Sequence, residues 1–140
     1  MKRIAKAHWN GTLQTGKGEI STQSTVLNET QYSYKTRFAD GIGTNPEELI
    51  AAAHAGCFSM ALSATLAHHG ISAGDIYTTA IVDLDMQALS ITGIHLELKA
   101  TLIEGVDEAT FTGIAEGAKT HCIISKALNV PITLAVVYGV

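Results

Sequence analysis

Two cysteines, Cys57 and Cys122, stand 65 positions apart in a chain of 140 residues. In a reducing compartment such a pair admits two readings: a transient, catalytic redox couple, or two small hydrophobes buried for packing. His54 precedes Cys57 by three residues, so on a helix the two are neighbours and could act as base and nucleophile in acyl transfer. Cys57, His54, Cys122 and His121 also have the composition of a Cys2His2 zinc set, but adjacent His121 and Cys122 would diverge by about 100° on a helix, poor spacing for zinc. His8, His68, His69 and His95 read as surface or strand residues without a partner. The chain carries no GxGxxG, Walker loop, HExxH or kinase signature, so a nucleotide, flavin or magnesium mechanism has no residues to stand on.

A reactive thiol needs its thiolate stabilised by a helix N-terminus, a cation or a base. Only two arginines are present, Arg3 near the N-terminus and Arg37 just before a helix-start signal, so Arg37 is the candidate cation. Glu47 or Glu48 could orient its guanidinium bidentately. On a continuous helix, however, Glu47 lies about 15 Å from Cys57 along the axis, so either Arg37 spans that gap or the Asn45–Glu48 segment leaves the helix. The plainer alternative leaves Arg37 as solvated strand charge and the glutamates as an exposed cap.

These residues must be positioned by elements that the pattern of the chain predicts. Alternation and glycine punctuation predict a meander of short strands over Ile4–Trp9, Glu19–Val26 and Gln31–Phe38. Thr44 or Asn45 as cap, Pro46 in the first turn and Glu47 and Glu48 at the positive end of the dipole predict a helix start, with Gly70 as the stop after His69. On that helix Ile50, Ala53, Cys57, Met60, Ala61 and Ala64 form an apolar stripe, turning Cys57 inward but about three turns from the N-terminus, beyond the reach of the dipole. Strands follow over Ile76–Asp85 and Ile91–Ile103. A second helix is expected from Asp107 to Leu128, with Phe111, Ile114, Ala115, Ala118 and Cys122 on its inner face, and a last strand over Ile132–Tyr138. The order is that of an α+β protein in one domain, residues 1–140, with both cysteines on the core stripes of its two long helices.

Composition narrows the partners. Charged residues make up only 16% of the chain, against a usual ~25%. Sixteen threonines and eight serines replace some of that charge, and a surface covered by another subunit could account for the rest. The net charge of −4, without a basic stripe, argues against nucleic acid and anionic membranes as partners. With no run of ~18 apolar residues and no signal-peptide core at the N-terminus, neither a membrane span nor export is expected, and the expected location is cytoplasmic.

The run Gly43–Thr44–Asn45–Pro46–Glu47–Glu48–Leu49–Ile50, followed by Ala52–Ala53–His54–Ala55–Gly56–Cys57–Phe58–Ser59–Met60–Ala61–Leu62, strongly resembles the first cysteine motif of the OsmC branch of the OsmC/Ohr family of thiol peroxidases. The likeness extends to Ala7–His8–Trp9, Gly16–Lys17–Gly18, Thr36–Arg37–Phe38 and the second cysteine ahead of Ser125 and Leu128. Two departures are Ile123, where the family commonly has Pro after its second cysteine, and Gly56, where Ala is more usual. The resemblance implies the OsmC-like fold, with two long helices packed on an antiparallel sheet, as an intertwined homodimer. It implies reduction of organic hydroperoxides, and hydrogen peroxide less well, with no bound cofactor and no metal, and with a dithiol reductant of dihydrolipoyl type. Cys57 takes the peroxidatic place, Cys122 the resolving one, Arg37 that of the activating cation and Glu47 that of its orienting carboxylate. In the Ohr branch the arginine comes from an earlier segment, where this chain has Lys17. A member of the fold without the peroxidase, its cysteines serving as core, is the alternative.

Overall fold

A computed structural model describes residues Met1–Val140. They form two compact units, Met1–Leu49 and Ile50–Val140, with the boundary inside a helix.

In the first unit β1 (Ala5–Asn10), β2 (Lys17–Thr22) and β3 (Thr30–Tyr32) make the expected antiparallel meander. Gly18 pairs with both Trp9 and Tyr32, whose ring centroids are 5.4 Å apart. Both rings close over it, and a Cβ at Gly18 would collide with them. The third strand is shorter than the alternation of Tyr32 and Tyr34 predicts. Ser33 and Thr36 form a reciprocal capping box, with Thr36 N–H donating to Ser33 Oγ and Ser33 N–H to Thr36 Oγ1. That box opens a short helix, α1 (Tyr34–Phe38), so Arg37 sits on a helical turn and not on a strand.

α2 (Pro46–His68) starts where the capping signal places it: Glu48 N–H donates to Asn45 Oδ1 at 2.8 Å, and Asn45, not Thr44, takes the cap. The second unit continues with β4 (Ile76–Asp85), β5 (Ser90–Ala100), α3 (Glu108–His121), α4 (Ile123–Ala127) and β6 (Ile132–Tyr138). β4 and β5 are an antiparallel hairpin, but β6 runs parallel to β5, so the sheet is mixed where an antiparallel one was expected. The helices between β5 and β6 carry the chain back along the sheet, and a strand reached by such a crossover pairs in parallel. The expected single helix over Asp107–Leu128 is also interrupted, breaking at Cys122.

The core of the second unit joins Phe58, Leu62 and Leu66 of α2, alternate β5 residues Ile94, Leu96, Leu98 and Ala100, and Phe111, Ile114, Ala115, Ala118 and Cys122. Phe111 stacks on Tyr138 at 4.2 Å, and the Tyr138 hydroxyl donates to the Val106 carbonyl. The buried row of α2 is therefore His54, Phe58, Leu62 and Leu66, rotated from the predicted stripe, and Met60 is 76% exposed. Phe and Leu outcompete the alanines for the core because each removes more apolar surface from water, about 1.5–3 kcal/mol per side chain. Cys57, expected to face inward, sits half-buried on the flank of that row.

By length and average hydropathy α2 meets the requirement for a bilayer span, which the search for an unbroken apolar run did not register. Its Phe58, Leu62 and Leu66 are nonetheless fully buried in the core of the second unit, and His54 in the same row is hydrogen-bonded to Ser125.

Candidate active site

Arg37 and Glu47 come together in the first unit. Arg37 Nη2 donates to Glu47 Oε1 at 2.8 Å, and Arg37 Nε approaches both carboxylate oxygens at 3.2 and 3.3 Å. The guanidinium carbon lies 5.1 Å from the centroid of the Phe38 ring, a cation–π contact. α1 and the start of α2 are tied by the side chain of Asn45, whose Nδ2 donates to the Thr36 carbonyl at 2.9 Å. Arg37 is thus held between an aromatic face and a carboxylate, with its side chain still 40% exposed. Lys17 makes no ion pair; Glu47 engages Arg37. Glu47 lies in the first turn of α2, which is uninterrupted to His68, so the Asn45–Glu48 segment does not leave the helix. The same unit holds a cavity of about 280 Å³ lined by Trp9, Leu13, Tyr32, Tyr34, Arg37 and Phe38, apolar apart from the guanidinium and a few polar edges.

The thiols come together in the second unit. Cys122 ends α3 and begins α4 with φ −56° and ψ 128°, an extended residue between two helices, and is fully buried. Its N–H donates to the Ala118 carbonyl at 2.8 Å, and Lys126 N–H donates to the Cys122 carbonyl at 3.0 Å. Both cysteines are free thiols, and Cys57 packs against the core cluster that contains Cys122. Burial, the largest single influence, pushes the Cys122 thiol up. The Ser125 N–H, the Cys57 thiol, the Ser125 hydroxyl and the Ile124 N–H outweigh it, and the net shift is below the ordinary thiol value.

Ser125 has a second contact. His54, fully buried, shares a 2.8 Å hydrogen bond between its Nε2 and Ser125 Oγ, while its Nδ1 is buried without a partner. Burial lowers the His54 pKa and keeps the ring neutral near pH 7. His54 is therefore committed to Ser125, not paired with Cys57 as a hydrolase base. His121 is exposed, with Nδ1 hydrogen-bonded to the Gly117 carbonyl, so the set of Cys57, His54, Cys122 and His121 is not assembled around one point. The sequence marks Ser125 only within the family likeness, where Cys122 stands ahead of it, and gives it no role; its bond to His54 is a tertiary contact.

A half-exposed thiol packed on the core that holds a second, buried thiol whose thiolate is favoured has the chemical parts of a dithiol–disulfide couple. A model of the OsmC-like protein family matches residues 39–136. The chain belongs to the OsmC family. It is 48% identical over 131 residues to the peroxiredoxin OsmC of Escherichia coli, covering 92% of this chain and 91% of that protein. Among solved structures, an organic hydroperoxide resistance protein OsmC from Legionella pneumophila superposes with a TM-score of 0.72 at 25% identity, covering 100% of this chain and 98% of the other. The organic hydroperoxide resistance protein OhrB of Bacillus subtilis gives 0.69 at 25% identity, over 96% and 98%. The OsmC-family fold expected from the cysteine motif is thus present, with its sheet mixed.

Proposed function

We propose that this OsmC-family chain is a thiol peroxidase that reduces organic hydroperoxides to alcohols, and hydrogen peroxide less well, working as one domain within a homodimer. The observation that carries the reading is that Cys57 and Cys122, 65 positions apart in sequence, pack into one hydrophobic core, where the neighbouring Cys57 thiol helps to lower the Cys122 pKa. The relatives named for peroxiredoxin activity and for organic hydroperoxide resistance point the same way.

In the proposed cycle the Cys57 thiolate attacks one peroxide oxygen. The O–O bond breaks, an S–O bond forms, and the departing alkoxide takes a proton to become the alcohol, leaving Cys57 as a sulfenic acid. The Cys122 thiolate then attacks the Cys57 sulfur, forming the S–S bond and releasing hydroxide, which is protonated to water. An external dithiol, of dihydrolipoyl type, reopens the disulfide by exchange and is itself oxidised to a disulfide. Arg37, oriented by Glu47, is the proposed cation favouring the thiolate and the charge that develops on the leaving oxygen. The aromatic cavity beside Arg37 supports an organic substituent on the peroxide, because it offers apolar surface next to a positive group. Exposed apolar residues such as Met60, Ile42 and Ile81 support a covered face in a homodimer, and the free thiol pair suits the reducing cytoplasm.

The test is turnover of an alkyl hydroperoxide with a dithiol reductant. Cys57→Ser should abolish it, and full activity in that variant would overturn the assignment. Cys122→Ser should permit a single reduction and then stall, with Cys57 drifting to sulfinic acid; sustained cycling would remove Cys122 from the resolving role.

A further inference from the structure

The chain has one Trp, four Tyr and three Phe. Phe58, Phe111 and Tyr138 belong to the core of the second unit. Trp9, Tyr32, Tyr34 and Phe38 gather instead in the first unit, where no hydrophobic side chain is fully buried, and line the cavity of about 280 Å³. Aromatic rings have the most apolar surface to hide, so four left half-buried around one hollow form a surface that suits an apolar guest. Trp9 and Tyr32 stand 5.4 Å apart between centroids at 49°, and Tyr34 and Phe38 5.0 Å apart at 52°, tilted and not stacked. The walls are also held in place. Trp9 Nε1 donates to the Gly11 carbonyl at 3.0 Å, and the bond from Asn45 Nδ2 to the Thr36 carbonyl steadies α1. Arg37 is the one charged group in the lining. Glu47 takes its Nε and Nη2, which leaves Nη1 able to donate to an oxygen of whatever enters.

We propose that this cavity selects compact aryl hydroperoxides, a single ring with the peroxide on the adjoining carbon, over long linear ones, and that Trp9, Tyr32, Tyr34 and Phe38 are the residues that set this preference. The inference rests on the peroxidase reading above and concerns only the organic group that the peroxide carries. An apolar cavity of about 150 Å³ holds benzene. One of about 280 Å³ therefore takes one ring, the carbon that bears the peroxide, and little more. A long acyl chain leaves most of its methylenes outside and in water, where they add nothing to binding. A phenyl ring among four aromatic side chains can adopt the offset or edge-to-face arrangements that such pairs prefer. That gain comes on top of the area buried, and a saturated chain has no counterpart to it. With the ring seated, the peroxide oxygens are left for Arg37 Nη1, a charge-assisted donor.

Trp9 is the only tryptophan of the chain, so its fluorescence reports on the cavity without a label. Reduced protein titrated with 2-phenyl-2-propanol, the alcohol formed from cumyl hydroperoxide, should show a saturable change in emission. Tyr34→Leu removes one ring and keeps apolar bulk, and should raise the dissociation constant about fivefold, while Tyr34→Phe should keep the parent value. Nuclear Overhauser contacts from the ring protons of the alcohol to Trp9 and Tyr34 in the parent protein give the same answer without a variant. In turnover with a dithiol, kcat/KM for cumyl hydroperoxide should exceed that for linoleic acid hydroperoxide by about fivefold or more, and Tyr34→Leu should remove most of that preference, chiefly through KM. An emission that does not saturate, a Tyr34→Leu variant that binds the alcohol as the parent does, or a parent that favours the long-chain hydroperoxide overturns the inference. A parent that binds the alcohol but consumes no hydroperoxide overturns the peroxidase reading instead, and supports the cavity as an aryl-binding site.

Discussion

If Cys57 and Cys122 are neighbours in the core they share, joining their sulfurs should stabilise the fold. The perturbation is stoichiometric hydroperoxide, which converts the dithiol to a disulfide. The bond closes a loop of about 65 residues, for which the loss of unfolded-chain entropy amounts to about 4 kcal/mol at 25 °C. A chain of 140 residues gains about 3–4 °C in Tm per kcal/mol, so the oxidised protein should melt roughly 10–15 °C above the reduced one. The assay is thermal unfolding followed by circular dichroism on the reduced protein, the peroxide-treated protein and the treated protein after dithiothreitol, which should fall back. Cys122→Ser given the same peroxide controls for oxidation without a cross-link and should show no rise. The entropy is set by loop length, so only native-state strain can cancel it. A rise below about 3 °C, or a fall, with the disulfide verified by mass, would mean that joining the sulfurs distorts α2 or the break between α3 and α4, and would refute the view that the pair is preset.

Gly56 lies on an exposed stretch of α2 with no atom within 4 Å of where a Cβ would stand, so Gly56→Ala should stabilise the protein by about 0.5–1 kcal/mol in urea denaturation. Ile123 is 71% exposed at the first position of α4, and Cys122 before it already has the φ −56°, ψ 128° that a following proline demands. Ile123→Pro should therefore add about 0.4–1 kcal/mol by the same measurement, and a loss would show that the Ile123 N–H or side chain is needed. The lowered pKa of His54 makes stability depend on pH: below the unfolded value of about 6.5 the unfolded chain binds a proton that the native ring refuses, so stability falls as pH drops. Urea midpoints between about pH 7.5 and 5.5 should show that fall in the parent and a shallower one in His54→Gln.

Much of this was legible in the residues. The Asn45–Pro46–Glu47–Glu48 start placed α2, the strands expected over Ile76–Asp85 and Ile132–Tyr138 formed as β4 and β6, and the motif around Cys57 marked the thiols and the Arg37–Glu47 pair. What escaped was decided by competition between local signals or by distant contacts. The alternating Tyr32 and Tyr34 read as strand, but the Ser33–Thr36 box won because it satisfies two backbone N–H groups at once. Nothing in Thr120–Ile124 breaks a helical pattern, since no Pro or Gly is there, so the break at Cys122 has no local signal. The bond from His54 to Ser125 spans 71 positions and has no local trace.

The parallel partnership of β5 and β6 also divides the sheet into a local and a long-range pairing. β4 and β5 meet across a tight turn in which Asp85 Oδ1 accepts the Gln87 and Ala88 N–H groups, so this hairpin can zip on the microsecond scale. β6 pairs residues 38 positions apart, Ile94 with Ile132, and must first overcome the closure entropy of everything between them. Cys122 rides in that intervening segment. The pairing that draws in the segment holding Cys122 is thus the entropically costlier part of the sheet, and Cys57 lies outside the loop it closes.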